Sequence, residues 1–427
     1  MKKAIIITLI VLTVAAVGIF FFWGRAKDCL AVIPKGSLMV GRVEAKAIHP
    51  DLAQLGSAWV FEDKDGQLGL VLPLPREKYL TDWISKTDPQ AQTDERRGVQ
   101  FATLSNGFVV GWVGGKVLAM GPVVEAGRSQ LMQKMVGYLK NDEEWTSPMM
   151  ERLKSMGQPT AFVAQTDALP EALTAFLQVG APKGHGQSDI LVAATIESTS
   201  GNGGSERVVK IKTETFSPKK KIDEALKASL EKYGTIEGIY LGTIDDANPY
   251  TVAANFSGNG VVEMLRGNDA LRVLIAGLNT AIDIDKMLSS VDGDLVLTMP
   301  RQKQFQLVAR SPEASWLKDV GYWKSSAPEG VTLSDWQPLG YHLHGKEQSA
   351  YFGMTMKGEL YMASSDSLAR RATQPSAHPM NADLQQLVKG ERMVAIINVK
   401  SLTDDKPELR PIFNLLPVKC DKLLIVK

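Results

Sequence analysis

Apolar residues arrive along this chain mostly in short runs, each bounded by glycine, proline or charged turn residues. Leu38–Val43, Ala58–Phe61, Leu68–Leu72, Val99–Leu104, Phe108–Val113, Val117–Met120, Ala161–Ala164, Ile190–Ile196 and Val208–Thr213 have the length and β-branched content of strands. The last two flank Ser200-Gly201-Asn202-Gly203-Gly204-Ser205, which reads as a hairpin tip. Between the strand runs the period lengthens. Arg76–Ser85, Val123–Leu139, Pro148–Ser155, Pro170–Leu177 and Pro218–Tyr233 read as helices. In the second of these, Leu131, Met135 and Tyr138 recur at spacings of four and three and form one apolar face. Strands come in runs with helices between them, without regular strand–helix alternation. The predicted fold class is α+β, with antiparallel sheets each covered by helices on one face.

Several segments recur. Lys35 to Ile48 resembles Lys389 to Leu402 without a gap, and Gly157 to Leu169 is a third echo. Gly115 to Pro122 matches Gly358 to Ser365, and in the second half a shorter helix follows. Pro75 to Leu80 matches Pro312 to Leu317, each placing proline where a helix begins. The matched pieces of these longer pairings keep the same order in both halves. This predicts two related modules, 32–245 and 246–427, with a polar boundary at Asp245-Asp246-Ala247-Asn248-Pro249. The second module is shorter. Pro407–Leu416 supplies a helix and Leu423–Val426 one strand, and a partner strand and closing helix have no counterpart. Either the second sheet is smaller or the chain is a shortened version of a longer design, and a strand edge exposed there would suit an assembly subunit or chaperone.

The N-terminus has a different pattern. Lys2 and Lys3 precede an uncharged run from Ala4 to Trp23, closed by Arg25 and Lys27. Twenty residues of helix, 4 through 23, span about 30 Å, the hydrocarbon thickness of a bilayer. Phe20, Phe21, Phe22 and Trp23 sit where an interfacial aromatic belt would lie. The run predicts a transmembrane signal anchor, with 1–3 as a cytoplasmic start and 24–31 as a juxtamembrane link. Ala16-Val17-Gly18 also fits a cleavage site, but large apolar residues follow it. Cys29 as a lipidated residue lacks the small apolar residues of a lipobox before it. The expected location is the cytoplasmic (inner) membrane, single-pass, with the ectodomain in the periplasm.

Composition narrows the function. Lys and Arg total 48 against 47 Asp and Glu, so the basic surplus of a nucleic-acid binder is missing. Two cysteines exclude a disulfide-dense scaffold, and whether Cys29 pairs with Cys420 stays open. His342 and His344 alternate on a strand with Glu347 nearby, the start of a metal-ligand set. No third ligand has diagnostic spacing, and the reading commits to no metal, cofactor or catalytic residue. Ser315 to Lys318 has serine–lysine spacing, as do Ser217 with Lys220 and Ser229 with Lys232, without the companion motifs of penicillin-recognising enzymes. Gly114-Gly115-Lys116 leads into a strand rather than a helix, so it is a hairpin turn and not a phosphate loop.

Val32-Ile33-Pro34-Lys35-Gly36 before an apolar strand resembles a phrase in uncharacterised Bacteroidetes cell-envelope proteins of a domain-of-unknown-function family. Ile282 to Leu288 followed by Val291-Asp292-Gly293-Asp294 resembles their short helix and Gly-Asp strand. The resemblance implies a membrane-anchored or lipoprotein envelope component and brings no catalytic residues. The expected function is a non-enzymatic, partner-binding or structural envelope protein. Its partners would be the membrane, through residues 4–23, and an envelope protein. The alternative is a ligand-binding receptor or enzyme with an unfamiliar site between the modules. The oligomeric state is open.

Overall fold

The computed structural model describes residues 29–44, 57–74, 76–169, 174, 176–178, 180–182, 186–200, 206–258, 262, 281–301, 304–345, 349–405 and 420–427. They fall into two compact units. One is drawn from Met1–Glu171 and Leu191–Ile196, the other from Ala172–Ile190, Glu197–Leu409 and Cys420–Lys427.

The first unit carries β1 (Met39–Glu44), β2 (Ser57–Glu62), β3 (Leu68–Pro73), β4 (Gln92–Arg96), β5 (Val99–Thr103), β6 (Val109–Val113), β7 (Lys116–Met120), β8 (Ala161–Gln165) and the start of β9 (Leu191–Ser200). Hydrogen-bonded neighbours run β4-β5-β6-β7-β3-β2-β1-β8-β9, every pair antiparallel. Alternation gives the sheet two apolar faces. Leu70, Leu72, Ala102, Val110, Trp112, Val117 and Ala119 form a core with Leu80, Trp83 and Ile84 of helix α1 (Glu77–Thr87). Helix α2 (Glu125–Leu139) lies over β4 to β7. A Cβ on Gly111 of β6 would meet Phe101 of β5 at 2.7 Å and Leu139 of α2 at 3.0 Å, so the glycine admits both side chains. Helix α3 (Pro148–Ser155) begins at Ser147, whose hydroxyl accepts from the Met150 N–H, and packs on β1 and β8.

The second unit carries β10 (Arg207–Phe216), β11 (Tyr250–Ser257), β12 (Asp292–Met299), β13 (Gln306–Arg310), β14 (Thr332–Gln337), β15 (Gly340–His344), β16 (Ser349–Met354), β17 (Glu359–Ala363), β18 (Met393–Asn398) and β19 (Lys422–Val426). The neighbour order is β14-β15-β16-β17-β13-β12-β11-β18-β19-β10. With β11 set against β1 and so on through β19 against β9, the order is that of the first unit. Met120 and Ala363 then occupy equivalent rungs, as do Leu118 and Tyr361.

β10 pairs in parallel with β19. The strand edge expected to be exposed near the C-terminus is therefore occupied on both sides, by β18 and β10. β10 belongs to the second unit, although its sequence lies within the predicted span 32–245. Helices of this unit are α4 (Lys220–Leu230), α5 (Ile284–Ser289), α6 (Val320–Ser326), α7 (Asp366–Arg371), α8 (Ala382–Val388) and α9 (Val399–Asp405).

The expected α+β fold class is corrected. The described chain is mostly sheet, with nineteen strands and few helices. Among the described residues no helix is long and apolar enough to cross a membrane. The predicted anchor 4–23, most of the 170–177 helix, the hairpin tip at 201–205, the 407–416 helix, Pro75 and Glu347 lie outside the described residues. The expectation of helices on one face also fails, for a reason visible in the alternation. On β15 and β16, Tyr341 and Phe352 face one way, against Trp316, which stacks in turn on Trp323 of α6. On the other face Tyr361 and Ala363 of β17 pack against Leu368, Ala369 and Ala372 of α7 and just beyond it. Both faces are apolar, so both must be covered.

Candidate functional site: an aromatic and imidazole face

The equivalent rungs of the two units differ in burial on one face of the terminal four strands. In the first unit the rung Thr103–Val109–Met120 is buried on every strand, beneath the fifteen-residue α2. Arg128 Nη1 donates to Gln92 Oε1 at 3.0 Å and Arg96 Nη1 to Ser129 Oγ at 2.8 Å, which fastens α2 to β4. In the second unit the same rung reads His342–Tyr351–Ala363. The helix over it, α7, has six residues. It covers Ala363 and Tyr361 and stops, leaving His342 and Tyr351 half-buried and Ser334, His344 and Ser349 exposed.

The uncovered side chains are ordered by one another. His342 stacks on Tyr351 with ring centroids 4.1 Å apart and planes 5° from parallel. Trp336 packs edgewise on Tyr351 at 5.1 Å. The Trp336 indole N–H donates to Asp366 Oδ1 at 2.6 Å, and the Arg370 guanidinium lies 4.8 Å over the indole. Arg370 also grips Asp366 through two bonds of 2.9 Å. That grip holds the Asp366 carboxyl below the usual carboxylate range. Burial, and then the neighbouring His344, holds the His342 imidazole below its ordinary value. The His342 and His344 rings are 5.7 Å apart.

Two glycines make room for the Tyr361 hydroxyl beside this face. Gly340 and Gly353 are cross-strand partners, and a Cβ on either would stand 2.5 Å from the Tyr361 hydroxyl. That hydroxyl instead accepts from Gln337 Nε2 at 2.6 Å. A Cβ on Gly353 would also press on the Leu339 carbonyl oxygen. Gly353→Ala is therefore expected to cost about 1–3 kcal/mol, read as a lower denaturation midpoint with an unchanged slope. A loss below about 0.5 kcal/mol would show that the sheet yields there.

The two histidines anticipated from alternation do share a face. Glu347 lies outside the described residues, and no group of three or more His, Cys, Asp or Glu among the described residues is placed to hold a metal. Ser315 and Lys318 lie on a 3-10 turn whose buried residue is Trp316, a packing element. Gly114 and Gly115 form the β6–β7 hairpin turn. Cys29 and Cys420 do not form a disulfide. Burial pushes the Cys420 thiol up to about 11, which suppresses the nucleophilic thiolate. The roles of Trp336, Tyr351 and Arg370 went unread in the sequence. The available signal was the short helix after the Gly358 segment, which cannot cover what the longer helix after Gly115 covers.

No family model matches the chain, and no curated protein does. Among solved structures, crystal form IV of TP0453 gives 11% identity over 40% of this chain and 76% of that one, with a TM-score of 0.28. Crystal form I of the same protein gives 12% identity over 43% and 82%, with a TM-score of 0.26. Crystal form III gives 8% over 82% and 98%, with a TM-score of 0.23. Likeness at this level carries no functional reading.

Proposed function

We propose that this protein is a non-enzymatic, partner-binding component of the cell envelope, and that the face of Trp336, Tyr351, His342 and His344 is its contact surface. The observation that carries the reading is the uncovered His342–Tyr351 rung, set against its buried counterpart in the first unit. Partly exposed Trp, Tyr and Arg packed into one ordered cluster have the composition of interface hot spots. The rim sets the partner's chemistry. Arg370 and Arg371 close the last turn of α7 and are both exposed. Arg370 already holds Asp366, so Arg371 and the imidazole N–H groups are the donors that favour a partner surface presenting carboxylates around an apolar centre. The uncharged run after Lys2 and Lys3 supports delivery to the envelope.

Site-specific photocrosslinking in intact cells tests this. A crosslinking residue at His344 or Ser349 is expected to capture one reproducible acidic envelope protein, and one at Lys86 of α1 is not. Tyr351→Ala is expected to weaken binding of that protein roughly 30-fold, the size of a hot-spot loss of about 2 kcal/mol. Equal capture from all three positions, or no effect of Tyr351→Ala, overturns the assignment.

A further inference from the structure

We infer that His342 and His344 form a two-imidazole site for one divalent transition-metal ion, with Cu2+ the tightest ligand. The inference does not depend on the partner-binding reading. The two residues are separated by one position on β15, so strand alternation puts both rings on one face. Ring centroids 5.7 Å apart, with planes tilted by 52°, leave room for one ion between a nitrogen of His342 and a nitrogen of a reoriented His344. Metal–imidazole bonds of about 2.0–2.1 Å suit this reach.

The surroundings supply the rest of a ligand's environment. Ser349, directly across the ladder from His344, has its hydroxyl 2.9 Å from His342 Nε2. When that nitrogen donates to Ser349, the tautomer is fixed and the Nδ1 lone pair is left for a metal. The Tyr351 ring, parallel to His342 at 4.1 Å, restrains the imidazole against rotation. His344 is exposed and adjusts its side-chain torsions to complete the chelate. Imidazole nitrogens favour Cu2+, Ni2+ and Zn2+ over Mg2+ and Ca2+, and Cu2+ leads the divalent series. Two protein ligands leave the remaining positions to water or to an incoming side chain. The equivalent rung of the first unit has Thr103 in place of His342, so the site belongs to the second unit alone.

The test is a titration of the full chain in detergent micelles with Cu2+ alone and then Zn2+ alone, read by calorimetry. Electron paramagnetic resonance of the Cu2+ sample reads the ligand type. One equivalent of Cu2+ with two imidazole nitrogens is expected. His342→Gln and His344→Gln should each weaken it on the order of 100-fold, because one arm of the chelate is lost. Ser349→Ala should weaken it roughly 10-fold through the lost orienting bond. His378→Gln, at an exposed loop position, should leave it unchanged. Unaltered melting of the variants shows that they fold. Absence of stoichiometric binding at micromolar Cu2+, or binding that both glutamine variants retain, overturns the site. No partner is present, so this result and the crosslinking result stand or fall separately.

Discussion

Trp316→Ala is expected to lower the stability of the second unit by about 3–5 kcal/mol, the range for emptying a buried tryptophan site. Trp316 is fully buried and joins the 3-10 turn Ser315–Asp319 to the sheet. It stacks on Trp323 at 6.1 Å and 7°, and meets Phe352 at 6.1 Å and Tyr341 at 6.5 Å. Its ring lies among all three, so filling the cavity would require β15 and β16 to shift toward the turn. Tyr341 and Phe352 alternate with His342 and Tyr351 along those strands, so the loss also loosens the uncovered face. Trp316→Phe should cost less than alanine. It keeps most of the ring, and it removes an indole N–H that has no hydrogen-bond partner among the described residues. Tyr322→Ala, on α6 at 71% exposure, should fall within about 0.5 kcal/mol of the parent. Denaturant unfolding followed by circular dichroism measures all three. A Trp316→Ala loss below about 1 kcal/mol would mean that the turn is not held by this ring.

Strands with apolar runs were legible because a half-buried ladder imposes its period on local sequence. β2, β3, β5, β6, β7 and β8 each begin and end within one or two residues of an apolar run. β4 breaks the rule. Gln92 to Arg96 has no apolar run, so no strand is predicted there, yet it pairs along its whole length with β5. An end strand buries little, so its sequence carries polar, charged residues that blunt the edge. The parallel pairing of β10 with β19 was illegible for another reason. Its register joins Val208 to Lys422, and no local period encodes contacts so far apart in the chain. The candidate site divides the same way. The His342–His344 alternation is local and was visible. The stacking of His342 on Tyr351 depends on a cross-strand register, and the exposure of the pair depends on where α7 stops.

Asp63→Ala is expected to be comparably severe in the first unit, at about 3–5 kcal/mol, because it strips a buried ion pair of one partner. The Asp63 carboxylate is fully buried in the β2–β3 turn. Oδ1 accepts the N–H groups of Asp65 at 2.9 Å and Gln67 at 3.0 Å. Oδ2 accepts from Lys134 Nζ at 2.7 Å and from the Tyr138 hydroxyl at 3.3 Å. Lys134 and Tyr138 are one turn apart on α2, so this carboxylate ties the helix over β4 to β7 down to the hairpin. Burial works against the Lys134 charge, but its bonds to Asp63 and Asp65 outweigh that and raise its pKa. Burial, and then the Asp63 charge, pushes the Tyr138 phenol up to about 12. Both folded-state values lie above the unfolded ones, so these groups stabilise fully below about pH 10. The contribution is lost as pH rises through the folded values. Unfolding free energy should fall above about pH 10, and the Tyr138 phenolate should appear near 12. In Asp63→Asn the Tyr138 titration should move down toward 10 by the part due to charge, while the part due to burial remains. The asparagine amide would also point donors at Lys134. Lys134→Met should then cost less in the Asp63→Ala background than in the parent, with a coupling of about 1–3 kcal/mol. Additive losses, or a Tyr138 titration unmoved by Asp63→Asn, would show that the helix is held by packing such as the Tyr138 edge on Phe61 rather than by this carboxylate.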